Sequence, residues 1–169
     1  MTPSEDAHAG DGAVAIKNYP HAIDIFRRMD GLDALRMMKR GEVPVTNVTR
    51  WMHFSLESVE RGRVVFGMTP HEDLYNLIGS VHGGIITTLM DNALGCSVQS
   101  LLPAGQVATT MDLHTRFHRP VTAAVGKVFA DARVVHAGRR TATSEAHLVD
   151  EKGTVYATGT STLMILVDE

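Results

Sequence analysis

Much is missing from this sequence, and each absence removes a class of function. There is one cysteine, Cys96, so the chain has no disulfide framework, and a reducing, cytoplasmic setting is expected. Basic residues are not in excess: the net charge is −3 and the pI about 6.3, which argues against a nucleic-acid partner. No basic segment followed by an apolar run opens the chain, so nothing indicates secretion. The longest apolar stretch is too short and too polar at Asp91 and Asn92 to read as a membrane span. Internal repeats and low-complexity blocks are absent. So are a Walker-type phosphate loop, a Gly-x-Ser-x-Gly elbow and a Cys/His cluster, and no metal is expected.

What remains is 169 residues, enough for one domain with a real core and an extension. The most informative stretch runs from Asn76 to Leu102. From Ile85 to Leu102 the apolar residues cover most of a helix circumference, which marks a buried helix. The exceptions, Thr87, Thr88, Asp91, Asn92 and Gly95, lie three or four apart and share one side. A carboxylate in a buried helix is costly unless it is paired, neutralised or used. Asp91 therefore either caps or pairs with a neighbour such as Arg116 or Arg119, or does chemistry. Upstream, Gly83 and Gly84 open the helix without side chains, and their N–H groups have no intrahelical partner. Such a terminus suits a carbonyl oxygen that gains negative charge. Donor and carboxylate in one stretch outline an acyl-transfer site.

Around this helix the chain divides into a frayed tail over 1–18, a helical extension over 19–50 and a main domain over 51–169. Apolar residues at helical spacing predict helices from His21 to Met29 and from Leu32 to Arg40, with Pro44 opening the linker. Trp51 and Phe54 are expected to bury against them. Met52–Glu60 and Arg63–Thr69 read as a hairpin, and Pro70–Leu77 as the loop that delivers Asn76. Val107–His118 alternates with period two, placing Thr109 with Leu113 and Phe117 on one face, and Thr110 with Asp112 and His114 on the other. The two histidines of that polar face read as solvated or at a subunit contact. Strands over Val125–Val135, Thr141–Val149 and Thr154–Val167 complete an antiparallel α+β arrangement.

The pattern Asn76-x-x-Gly79-x-x-His82-Gly83-Gly84-x₆-Asp91-x-Ala93-x-Gly95 resembles the signature of hotdog-fold thioesterases of the PaaI-like, phenylacetic-acid-degradation type. The resemblance extends from about Gly31 to the C-terminus and includes Phe117-His118-Arg119-Pro120-Val121 and Val134 to Arg140. It implies an antiparallel sheet wrapped around one long central helix, and hydrolysis of aromatic or medium-chain acyl-coenzyme A. Asp91 would be general base or nucleophile. Asn76 and the Gly83 N–H would form the oxyanion hole, while His82 fixes the loop. Thr110 or Thr109 would position the attacking water. The coenzyme A handle would follow Phe117, His118, Arg119 and Pro120 and the turn His136, Gly138, Arg139 and Arg140. Leu74, Tyr75, Leu77, Ile78, Leu89 and Met90 would wall the acyl pocket. No cofactor is expected, coenzyme A being part of the substrate. The resemblance also implies a homodimer or homotetramer with its site at the subunit interface. The alternative is a hotdog protein that binds acyl-coenzyme A without turning it over.

Overall fold

A computed structural model describes residues 23–167 of the chain. The 1–18 tail and the start of the His21–Met29 segment lie outside them. In chain order the elements are α1 (Ile23–Phe26), α2 (Gly31–Lys39), α3 (Asn47–Trp51), β1 (Ser55–Glu60), β2 (Arg63–Met68), α4 (Gly83–Gln99), β3 (Gln106–Phe117), β4 (Val128–Ala137), β5 (Thr141–Asp150) and β6 (Val155–Val167). The strands form one antiparallel sheet in the order β1-β2-β4-β5-β6-β3, curled around α4.

Helix α4 is buried because the sheet beneath it supplies apolar and mostly small side chains. Leu89, Met90, Ala93, Leu94 and Val98 are 0% exposed. They meet Val64 and Phe66 of β2, and Ala130, Ala132, Ala146, Leu148 and Ala157 of β4 to β6, in one cluster apart from Val98. Each large side chain taken fully out of water contributes about 1.5–3 kcal/mol. At Gly159 even a Cβ would come within 2.8 Å of the Met90 Cε. The Thr87, Thr88, Asp91, Asn92 and Gly95 side is only half-buried.

Three expectations need correction. The strand expected from Met52 begins at Ser55, because α3 and the left-handed His53 (φ 52) occupy the preceding residues. Helix α3 has its own N-cap, Thr46, whose hydroxyl accepts from Thr49 N–H. Trp51 is 72% exposed on that helix, whereas Phe54 is buried as expected. Most important, β3 does not alternate throughout. A bulge at Met111 shifts the register between Thr110 and Asp112. Thr110 opposes Leu163 and Leu113 opposes Ser161, so Thr110 shares the helix-facing side with Leu113 and Thr115. Thr109 opposes Met164 and faces away with Asp112 and His114. The bulge has a local partner: Asp112 Oδ1 accepts Thr162 N–H at 3.2 Å.

The helical extension docks on the far end of α4. Gly31 N–H donates to Leu102 O (2.9 Å), Gly105 N–H to Phe26 O (2.9 Å) and Ala104 N–H to Asp30 Oδ1 (3.1 Å). A Cβ at Gly31 would lie 1.9 Å from Gln99 O, a backbone atom that cannot step aside. Gly31→Ala should therefore undock the extension and cost about 1–3 kcal/mol, read as a lowered urea midpoint; an unchanged midpoint would contradict this docking.

Candidate active site

The first turn of α4 is prepared by its own sequence. His82 is the N-cap, and its Nδ1 accepts Gly84 N–H at 2.9 Å, while His82 O takes Ile85 and Ile86 N–H. Gly83 N–H is left without a hydrogen-bond partner among the described residues. The accepting Nδ1 places the ring proton of neutral His82 on Nε2. Beside this turn, Asn76 Oδ1 accepts Ile78 N–H (3.0 Å) and Ser80 N–H (3.3 Å), and its Nδ2 donates to Ser80 Oγ (3.3 Å). Those bonds fix the amide orientation and leave the second Nδ2 hydrogen free for a ligand. Asn76 and Gly83 line one cleft of about 350 Å³ with Phe117, His118, Arg119 and Pro120. A Cβ on Gly83 would meet the Phe117 ring at 3.1 Å, so glycine also keeps this donor approachable.

Two turns further along α4 lies a second cleft, of about 420 Å³, lined by Asp91, Thr109, Thr110 and Cys96 among others. Thr110 Oγ1 donates to Asp91 Oδ1 at 2.9 Å. The Met111 bulge makes this possible, since unbroken alternation would turn Thr110 away. Neither arginine considered as a partner reaches Asp91: Arg116 is exposed, and Arg119 Nη1 donates to Val155 O at 2.6 Å. The end of α4 is tied to β3 by Gln99, whose Nε2 donates to Gln106 O (3.0 Å) and whose Oε1 accepts Ala108 N–H (2.9 Å). That two-point contact holds β3 two residues before Thr110, and nothing in the sequence pattern had singled out Gln99.

Cys96 shares the second cleft and competes with Asp91 for the role of nucleophile. Burial first, and the Asp91 carboxylate second, push its thiol up to about 12. It is therefore an uncharged thiol at neutral pH, a poor nucleophile.

One chain does not assemble all of the candidate residues. Gly83 and Asp91 are eight residues apart on one helix, about 12 Å at 1.5 Å per residue. The two segments of the expected coenzyme A handle are also separated. Phe117 opposes Ala157, whereas Thr141, beside Arg139 and Arg140, opposes Met164, about 23 Å further along β6. Among the expected acyl walls, Leu74, Leu89 and Met90 are sealed in the core, while Leu77 and Ile78 stand 107% and 87% exposed at the tip of the Asn76 loop. Among the described residues there is no group of His, Cys, Asp or Glu that could hold a metal ion, and no helix long and apolar enough to cross a membrane.

Comparison with known proteins gives the family. The thioesterase superfamily model matches residues 78–157. A protein of Halobacterium salinarum, named as a candidate esterase, is 35% identical over 127 residues, covering 68% of this chain and 82% of that protein. The chain belongs to the thioesterase superfamily. Within it the fold is the hotdog fold. A candidate thioesterase of Ralstonia eutropha, related to phenylacetic acid degradation, superposes with a TM-score of 0.70 at 27% identity, covering 77% of this chain and 98% of that one. The PaaI protein of E. coli shares the fold, with a TM-score of 0.71 at 21% identity over 79% of this chain and 94% of its own.

For this thioesterase-superfamily chain, the His82 cap carries a direct test. His82→Ala removes the acceptor for Gly84 N–H and should cost about 1 kcal/mol, whereas His82→Asn offers another capping oxygen and should restore most of it. The measurement is equilibrium unfolding of both variants; equal losses would show that the ring does not act as a cap.

Proposed function

We propose that the chain hydrolyses acyl-coenzyme A thioesters in the cytoplasm, as a homodimer or homotetramer whose sites lie between subunits. The observation that carries this reading is the Thr110–Asp91 hydrogen bond in one cleft together with the free Gly83 N–H and the second Nδ2 hydrogen of Asn76 in the other. In the proposed reaction Asp91 takes a proton from a water held beside the Thr110 hydroxyl. The water oxygen bonds to the thioester carbon, and the carbonyl π electrons move to oxygen. Gly83 N–H and Asn76 Nδ2 hold that oxyanion. Collapse breaks the C–S bond, and the Asp91 carboxyl returns its proton to the leaving thiolate. The nucleophilic variant uses Asp91 oxygen in place of water, giving a mixed anhydride that water then hydrolyses.

The subunit pairing follows from reach. An oxyanion donor must lie about 3 Å from the developing charge, and the attacking oxygen a similar distance from the carbon. Groups about 12 Å apart on one helix cannot both serve one thioester. Strand β3 ends the sheet and leaves twelve residues open along one flank. Identical edges pair about a two-fold axis, hence antiparallel. Such a pairing sets the Thr110–Asp91 end of one chain against the Gly83–Phe117 end of its partner. It also brings Arg119 of one chain toward Arg139 and Arg140 of the other, which supports a coenzyme A handle shared between subunits, with His118 and His136 alongside. Leu77 and Ile78, exposed on the Asn76 loop, would be covered in the process. A module that only binds acyl-coenzyme A would have no use for a carboxylate oriented by Thr110, and this disfavours the non-catalytic reading.

Asp91→Asn keeps shape and removes the base. Thiol release from aromatic and medium-chain acyl-coenzyme A should fall by at least about 10³ with binding retained; a variant keeping a tenth of the activity would sink the role of Asp91. Mixing inactive Asn76→Ala and Asp91→Asn proteins should recover part of the activity, since some mixed dimers hold one intact site. No recovery after verified subunit exchange would mean that the site is built within one chain.

A further inference from the structure

The Asp91 cleft continues beyond the reacting groups. Asp91, Gly95 and Gln99 recur every four residues and line it together; by helical rise they span about 12 Å. The character of the cleft changes along that length. At one end stand Asp91 and Thr110. Beyond them Gly95 leaves the floor open, its nearest neighbour being Leu163 Cδ2 at 3.9 Å from where a Cβ would stand. Ala108 and Leu163 supply apolar sides. The Gln99 amide is consumed by Gln106 O and Ala108 N–H and offers little to a ligand.

Phe26, on the helical extension, is the one lining residue from outside the segment that runs from Asp91 to the end of the chain. Its ring is held in place. It is half-buried against both the main core and the small cluster of Ile25, Ala34 and Val43. Its carbonyl accepts Gly105 N–H, and the neighbouring Asp30 and Gly31 anchor the extension to the loop after α4. We infer that Phe26 is a specificity-determining residue: its ring walls the Asp91 cleft and limits the length of acyl chain that can lie along α4. The inference rests on the thioesterase reading above and adds to it the part of the chain that sets the acyl limit. An apolar chain leaving the thioester carbon beside Asp91 would gain about 0.8 kcal/mol for each buried methylene until it met the ring.

The test uses the full chain and saturated acyl-coenzyme A thioesters of graded length. Relative to the unaltered protein, the ratio of kcat/KM for tetradecanoyl- over octanoyl-coenzyme A should rise at least about tenfold in Phe26→Leu and fall in Phe26→Trp. Ratios that stay within about twofold in both variants overturn the wall. A chain that hydrolyses no thioester at all would sink the hydrolase reading instead, and the wall is then read without catalysis. Cys96 is the only thiol and lines the same cleft. N-ethylmaleimide should label it at least about tenfold faster in Phe26→Ala than in the unaltered protein, as the ring that walls the shared cleft is removed. Equal labelling rates overturn the assignment.

Discussion

Contact between α4 and a sheet of small side chains determines where every group of the site stands. Ala130, Ala132, Ala146, Ala157 and Gly159 let the helix settle close to β4, β5 and β6, and Met90 fills the remaining space over Gly159. Close-packed contacts of this kind leave no room for the helix to slide. The half-buried side of α4 is then fixed in azimuth, and with it Asp91. Its first turn is fixed in height, and with it the Gly83 N–H. A looser helix would present the same residues without presenting the same geometry.

Two potential nucleophiles share that helix, and their surroundings separate them. Cys96 is desolvated with a carboxylate nearby, and both effects oppose a second negative charge. With its thiol pushed up to about 12, almost none of it is thiolate at pH 7. Asp91 lies where the half-buried side opens to solvent and receives the Thr110 hydroxyl. Residue type alone would have ranked the two the other way, since a thiolate is the stronger nucleophile.

Much of this was legible in the sequence, for identifiable reasons. An all-round apolar run with a polar side made α4 and its orientation readable, and the Asn76-to-Gly95 spacing made the candidate site readable. What was not legible depends on contacts distant in sequence. The Met111 bulge arises because Asp112 takes a β6 N–H fifty residues away, so period-two counting put Thr110 on the wrong face. Helix α3 is five residues long, too short for a periodic signal, and its Thr46 cap lay in what read as a linker. The place of β3 at the sheet edge is a matter of topology, which strand patterns do not report. Phe26 and Gln99 matter through a docking that no local motif encodes.

In the proposed pairing the separation of the two clefts has a further consequence. Each chain would then carry one complete set of parts, yet no complete site. Activity would then be linked to association, because only the proposed paired state would join a carboxylate to an oxyanion hole. The edge strand enters the same linkage. Twelve residues of open β3 flank are a liability for a single sheet, and covering them is favourable whatever chemistry follows. The strand pairing that satisfies the backbone would also be what brings Asp91 to the partner's donors. In that proposed dimer one interaction would cover the open edge and complete the site, and a substitution that blocked β3 pairing without touching Asp91, Asn76 or Gly83 would silence both sites at once.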